Sequence, residues 1–390
     1  MTDLTAIEPD AGPPLDLRGR DMPPGKDLAV AGQWRLFWLK FRKHRIAVVS
    51  LVVIILLYLV AAFADFIAPA DPNATNARFT YAPPQILSLM QDGAFRPHVQ
   101  QLKMTLNTES MRREFVADPA KPLDVSFFVA AAQPYDLLGF IPMRTKLFGL
   151  TDPKPGDSLY VFGADRLGRD IFSRVVHGAK VSLSIGLVGV FISLVLGVTI
   201  GGISGFFGGW IDLGIQRLIE LLRSIPTIPL WMGFAAAIPV GWPPLRTYFV
   251  ITLIVSLIGW TSLAREVRGK FLSLRNEDFV TAARLDGMSE IGIIFHHLVP
   301  SFTSHIIATL TLAIPSMILA ETALSFLGIG LQPPIISWGV LLQEAQNIRA
   351  VAQAPWLLFT PAAAIVIAVL SLNFLGDGLR DAADPYESVS

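Results

Sequence analysis

Apolar residues fall in long runs along this chain, separated by stretches in which charged, proline and glycine residues collect. A bilayer core of about 30 Å requires roughly 20 apolar residues of helix at 1.5 Å per residue. Six stretches meet that length: 46–68, 181–205, 213–240, 247–263, 306–330 and 356–375. The pattern predicts an all-α polytopic membrane protein with six transmembrane helices. The second and third runs are interrupted by glycine clusters, and Arg217, Glu220 and Arg223 lie in or beside the third, near its inner end, where snorkelling and i,i+3 pairing make them inexpensive.

Between the runs lie segments of different character. Residues 1–33 are rich in Pro, Asp and Gly and are expected to form a disordered cytoplasmic tail. Residues 34–68 comprise an interfacial helix, in which Trp34, Phe37, Trp38 and Phe41 interleave with Arg35, Lys40 and Arg42, followed by the first span. Residues 69–165 form an insertion too long for a plain loop. Its pattern predicts a helix over 99–115 and a short strand over 125–129, its overall fold stays open, and a lid or docking surface is weighed against a mere insertion. Residues 166–380 hold the other five spans, and 381–390 form a cytoplasmic tail. Pro226, Pro229 and Pro315 invite kinks. Gly197, Gly201, Gly205 and Gly209 recur every four residues and predict close helix packing.

Composition agrees with a membrane chain: 390 residues, 16% of them charged, a formal net charge of zero and a mean hydropathy of +0.53. The absence of cysteine excludes disulfides, cysteine-ligated metals and thiol nucleophiles. Arg35, Lys40, Arg42, Lys43 and Arg45 precede the first span, so the positive-inside rule places the amino terminus in the cytoplasm. Alternation puts the carboxyl terminus and the polar segment 265–300 on the same side and the insertion outside. Ala62-Phe63-Ala64 resembles a signal-peptidase site, but about 45 mostly polar residues precede a full-length span, so an uncleaved anchor is expected.

Candidate chemistry is sparse. The segment from Gly163 to Asp170 imitates phosphate-binding spacing, yet Arg169 stands at the lysine position and Asp170 at the hydroxyl position. Nucleotide hydrolysis by this chain is therefore not expected; Asp165 as a helix cap and an i,i+4 pair of Asp170 with Arg174 suit the segment better. Adjacent His296 and His297 diverge by about 100° on a helix and do not make a metal site. No catalytic, cofactor or metal-binding residues are expected. Glu321 is the one acid deep in an apolar run; it is either a buried polar group hydrogen-bonded to backbone or serine, which is favoured, or a residue lining a substrate path.

The polar segment 265–300 is the most specific feature. Asn276 suits a helix cap, Glu277 and Asp278 the first turn, Arg284 the last turn and Gly287 a left-handed stop, so a helix over 277–286 is expected. Ser289 then caps a second helix over 290–298, ended by Pro300. Thr281-Ala282-Ala283, Gly287, His297, Val299 and Pro300 match the spacing of the cytoplasmic loop of ABC-importer permeases, with Thr281, His297 and Val299 in place of that motif's glutamate, isoleucine and leucine. The segment 163–174, the run from Glu321 to Gly328, and Asn373 to Asp381 with Asp384-Pro385 also resemble the oligopeptide/dipeptide type, in particular its second permease.

That resemblance implies half of a translocation pathway for oligopeptides or dipeptides in an ATP-driven importer of the inner membrane. It implies as partners a homologous second permease, two cytoplasmic ATP-binding subunits and an extracytoplasmic substrate-binding protein, with no nucleic acid and no cofactor in this chain. Asp278, Thr281, Ala282, Ala283, Arg284, Gly287 and Pro300 become the expected ATPase-coupling residues. The same machine carrying oligosaccharides such as galactosides, nickel complexes or opines, and a secondary transporter, remain alternatives.

Overall fold

The computed structural model describes residues 33–383 apart from 92, 108–111, 155–156 and 240. The expected tails lie outside these residues, except for Gln33 and the last helical turn at 381–383. A short helix α1 (Gln33–Lys43) leads into α2 (Arg45–Ala62), and His44 between them accepts from the Ala47 amide at 3.2 Å. After α3 (Ala64–Ile67), the insertion folds as an antiparallel meander of β1 (Ser88–Gln91), β2 (Ala94–Asn107), β3 (Arg112–Leu137) and β4 (Ile141–Leu150).

The fold is therefore mostly helical but not all-α. The strand over 125–129 is present inside β3, whereas the helix over 99–115 is replaced by β2 and the start of β3. The physical reason is a register shift between Gln100 and Gln101. Val99 and Leu102, on either side of it, are both buried, which in the sequence imitates the i,i+3 spacing of a helix. Opposite that shift β3 carries Pro119 and Pro122, and a second irregularity between Ala130 and Tyr135 includes Pro134. Proline cannot donate to the ladder, and Pro119 and Pro134 fall in the gaps of the pairing.

The remaining helices are α4 (Ile171–Phe207), α5 (Gly209–Ser224), α6 (Thr227–Ala236), α7 (Pro244–Leu274), α8 (Asp278–Leu285), α9 (Glu290–Ile293), α10 (Val299–Ser301), α11 (Thr303–Phe326), α12 (Trp338–Glu344), α13 (Ile348–Gln353) and α14 (Trp356–Ala383). Among the described residues, α2, α4, α7, α11 and α14 are long and apolar enough to cross a membrane. The third expected span, 213–240, is not one helix. Ile225 before Pro226 is extended (ψ 130°), as a residue preceding proline prefers, so the run divides into α5 and the short apolar α6. Pro315 stays inside a continuous α11.

Glycine sets the closest packing. A Cβ at Gly197 would lie 2.9 Å from the Leu263 side chain, at Gly201 2.4 Å from the Ala264 carbonyl oxygen, and at Gly205 2.7 Å from the Arg268 carbonyl oxygen. Gly209 has no such neighbour, so the stripe against α7 ends at Gly205. A second core joins α2, α4 and α14 around Ala47, Leu183, Trp338 and Leu372.

The insertion is tied to the helices where it leaves and rejoins them. The Ala164 amide donates to the Ala82 carbonyl (2.8 Å), the Tyr160 hydroxyl to the Gly168 carbonyl (3.0 Å), and Lys146 Nζ to the Asp65 carbonyl (2.6 Å). Gly168 (φ +71°) lies so close to the Asn76 carbonyl that a Cβ would stand 1.9 Å from it. The glycines that imitate a phosphate loop are thus backbone packing points.

Candidate functional site

The segment after α7 folds into two short helices around a left-handed glycine. Glu277 opens α8 without a side-chain cap bond, so Asn276 is not the cap. At the other end the Met288 amide donates to the Ala283 carbonyl (3.1 Å), the Gly287 amide donates to the Arg284 carbonyl (3.0 Å), and Gly287 has φ +76°. This is a Schellman stop, which satisfies carbonyls the helix end would otherwise leave unpaired. Ser289 caps α9 by accepting from the Gly292 amide at 3.2 Å. The second helix is not a single α-helix: it widens into a π-helical turn over Ile294–Leu298, and Pro300 lies within α10 instead of ending it. The chain reorients at Phe302 (φ −129°).

The loop has two apolar sides. Val280 and Ala283 are buried with Phe271, Ile293, Leu298 and Phe302. Phe279, Leu285, Met288, Ile291 and Phe295 are exposed, Leu285 by 84%. Of the expected residues, Asp278, Thr281, Ala282 and Gly287 are exposed, and Ala283 is turned inward. Thr281 Oγ1 donates to the Glu277 carbonyl at 3.4 Å, so its hydroxyl is spent on its own helix. Arg284 sits 3.6 Å from Glu290 and 5.2 Å from the centre of the Phe206 ring. The exposed Phe279, Leu285 and Ile291 were readable as apolar residues, but consecutive apolar positions on both sides of α8 concealed which would face out.

Behind the loop, Asp212 at the start of α5 accepts two bonds from Arg268 of α7, at 2.5 and 2.6 Å, and one from Ser204 of α4 at 2.5 Å. This clamp joins three helices at the end of the molecule that carries the loop.

Glu321 is fully buried, and its carboxylate accepts from Ser337 (2.7 Å), Ser325 (2.8 Å) and Ser182 (3.4 Å). Each serine oxygen also accepts a backbone amide, from Val340, Leu331 and Trp338 respectively. A second buried cluster lies at the start of α4. Arg169 reaches Asp165 (2.5 Å) and Glu344 (2.7 Å), and Arg174 reaches Asp165 (3.5 Å) and Glu344 (3.2 Å). Asp165 therefore is not a helix cap and Arg174 is not paired with the Asp170 carboxylate. Two cations face two anions here, which offsets the desolvation of each. Among the described residues no His, Asp and Glu group could hold a metal.

Asp170 caps α4, accepting from the Ser173 amide (2.8 Å) and hydroxyl (2.6 Å), while its Oδ1 is buried without a partner. Burial pushes this carboxyl up to about 6, against the Ser173 bonds that favour its charged form. A raised carboxyl pKa gives stability that is full below about 4 and is lost as pH rises through about 6. Asp170→Asn keeps the cap acceptor and removes the ionisation. The wild-type unfolding midpoint is expected to fall relative to the variant between pH 4 and 6, with a constant difference above; thermal melts in detergent over pH 4–7.5 check this, and parallel curves would refute it.

Comparison with known proteins gives a consistent result. A family model described as the binding-protein-dependent transport system inner membrane component matches residues 197–387, and one for the N-terminal transmembrane domain of oligopeptide transport permease C matches residues 32–84. The chain is 40% identical over 224 residues, 57% of its length and 71% of the relative's, to a dipeptide transport system permease protein of Alkalihalophilus pseudofirmus. It is 37% identical over 236 residues (60% and 75%) to an oligopeptide transport system permease protein of Bacillus subtilis, and 39% over 231 residues (59% and 74%) to that of Escherichia coli K12. Among solved structures, the MetNI methionine ABC transporter in an inward-facing conformation aligns with 55% of this chain and 98% of its own, at TM-score 0.42 and 18% identity.

Proposed function

The chain belongs to the family of binding-protein-dependent transport system inner membrane components, as a permease of the oligopeptide/dipeptide ABC type, and from that premise we propose that it forms half of a peptide translocation pathway driven by separate ATP-binding subunits. The names of its relatives favour peptides over oligosaccharides, nickel complexes or opines, and an ATP-driven importer over a secondary carrier. Its other half is a homologous second permease, and an extracytoplasmic binding protein delivers the substrate. We read α5 and α6 together as the third of six spans, with both termini and the 265–300 loop in the cytoplasm and the sheet-bearing insertion outside. The domain limits follow: 1–33, 34–68, 69–165, 166–380 and 381–390.

One observation carries the coupling role of the loop: an exposed apolar crest on a firmly anchored base. Phe279, Leu285, Met288, Ile291 and Phe295 face outward while Val280 and Ala283 pack beneath them. Exposed apolar groups gathered on one short loop suit a partner surface. Asp278, Thr281, Ala282, Arg284, Gly287 and Pro300 shape and flank it, and Glu321 serves as a buried support for the spans. ATP-driven closure of the partner would move this rigid knob and, through the start of α8 directly after α7, the spans.

Leu285→Asp changes a residue with little to lose in the fold. It is expected to leave membrane insertion intact and to reduce co-purification of the ATP-binding subunits about tenfold, consistent with losing a buried leucine at an interface. Gly287→Trp should act likewise. Wild-type recovery of the complex with both variants would sink the assignment. The function as a whole is tested by ATP-dependent peptide uptake into vesicles holding the complete importer; uptake without any ATP-binding subunit, or of galactosides in place of peptides, would overturn it.

A further inference from the structure

At the break between α5 and α6 lies a cavity of about 310 Å³, walled by α7 and α11. Arg223, Thr227, Trp231, Thr261, Ser262 and Ser316 supply its polar lining. Ser262 stands next to the last residue of the apolar run 247–263, beyond which α7 continues as a polar helix to Leu274. Ser316 lies near the middle of α11. The cavity thus lies beside the middle of α11 and the inner end of the apolar run of α7, where the exposed Arg223 can keep its charge.

Arg223 Nη1 donates to Ser262 Oγ at 3.1 Å. Among the described residues no carboxylate pairs with it, and the neighbouring Glu220 is taken by Arg217 at 2.7 Å. Trp231 Nε1 is buried and has no hydrogen-bond partner. The wall therefore offers a guanidinium, an indole N–H and hydroxyls, with no acid among them. That donor set suits a carboxylate, because a planar guanidinium can give it two parallel bonds. A volume of this size admits the end of a peptide but not an extended oligopeptide. Binding at the chain end also tolerates any side-chain sequence.

We propose that this cavity is a transit site for the terminal carboxylate of the transported peptide, with Arg223 and Trp231 as its donors. The inference rests on the peptide-permease reading above. The chain has no cysteine, so Ser316→Cys places a single thiol of this chain at the cavity wall. In the assembled importer, maleimide labelling of that thiol is measured against increasing trialanine and trialanine amide. Trialanine is expected to protect at a concentration about tenfold lower than the amide, the scale of one charge-assisted hydrogen bond. In an Arg223→Gln background the two should become equal, and Arg223→Lys should keep part of the difference.

Equal protection by acid and amide with Arg223 present, protection by neither, or an acid preference that survives Arg223→Gln would overturn the site. ATP-dependent uptake of trialanine by the unaltered importer is scored separately. Its absence sinks the peptide reading itself; its presence together with equal protection sinks only the carboxylate site. Co-purification of the subunits with Arg223→Lys shows that any loss is not a failure of assembly.

Discussion

Glu321→Ala is expected to cost about 3–5 kcal/mol of folded stability, the range found when one member of a buried, charge-bearing hydrogen-bond network is removed. The carboxylate is the common acceptor for Ser182 of α4, Ser325 of α11 and Ser337 before α12. Each hydroxyl is pinned from the other side by a backbone amide, so none is free to swing toward a new partner. Deleting the acceptor leaves three donors in a dry interior, at about 1–3 kcal/mol each before relaxation. Glu321→Gln keeps the volume and one oxygen but turns an amide NH2 toward the same hydroxyls, so its loss should be intermediate. Thermal unfolding of the purified chain in detergent is expected to rank wild type above Gln and Gln above Ala. An alanine variant that melts with wild type would mean the cluster has no structural role.

The parts of this fold that were legible in sequence are those written in local pattern. The apolar runs located α2, α4, α7, α11 and α14, because a spanning helix must be apolar over its whole lipid-facing length. Their ends were not legible: α4 starts at Ile171 and α7 continues to Leu274, since polar residues at the ends of a span can continue the helix beyond the apolar run. Gly287 and Ser289 announced the loop, as their roles are met by neighbours within a few residues. The inward turn of Ala283 and the outward turn of Ala282 were not announced, because two adjacent alanines carry no direction. Glu321 could be paired with Ser325 at i+4, but Ser182 is 139 residues away. The pairing of Arg174 with Glu344 spans 170 residues and stands in place of the local Asp170–Arg174 pair that spacing suggested. In the insertion two buried strand residues three apart, Val99 and Leu102, look helical.

Gly201→Leu is expected to prevent the chain from accumulating as a folded membrane protein, and Gly201→Ala to cost about 2–3 kcal/mol or more. Overpacking a tight contact costs about 1–3 kcal/mol when side chains can shift. Here the obstacle is backbone: a Cβ would stand 2.4 Å from the Ala264 carbonyl oxygen and 2.8 Å from its Cα. No rotamer change relieves that, so α4 and α7 must separate. Separation also strips the contacts at Gly197 and Gly205 and strains the Asp212–Arg268 clamp beside them. Because α7 leads into α8 within a few residues, a displaced α7 carries the exposed crest with it. Gly214→Ala is the matched control, a helical glycine with nothing within 4 Å of the added carbon. It should be neutral or stabilising by roughly 0.5–1 kcal/mol, the helix preference of alanine over glycine. Membrane yield and unfolding midpoints of the three variants check the series. If Gly201→Leu matched Gly214→Ala in both, the α4–α7 contact would not be the tight backbone seam on which the placement of the 265–300 loop depends.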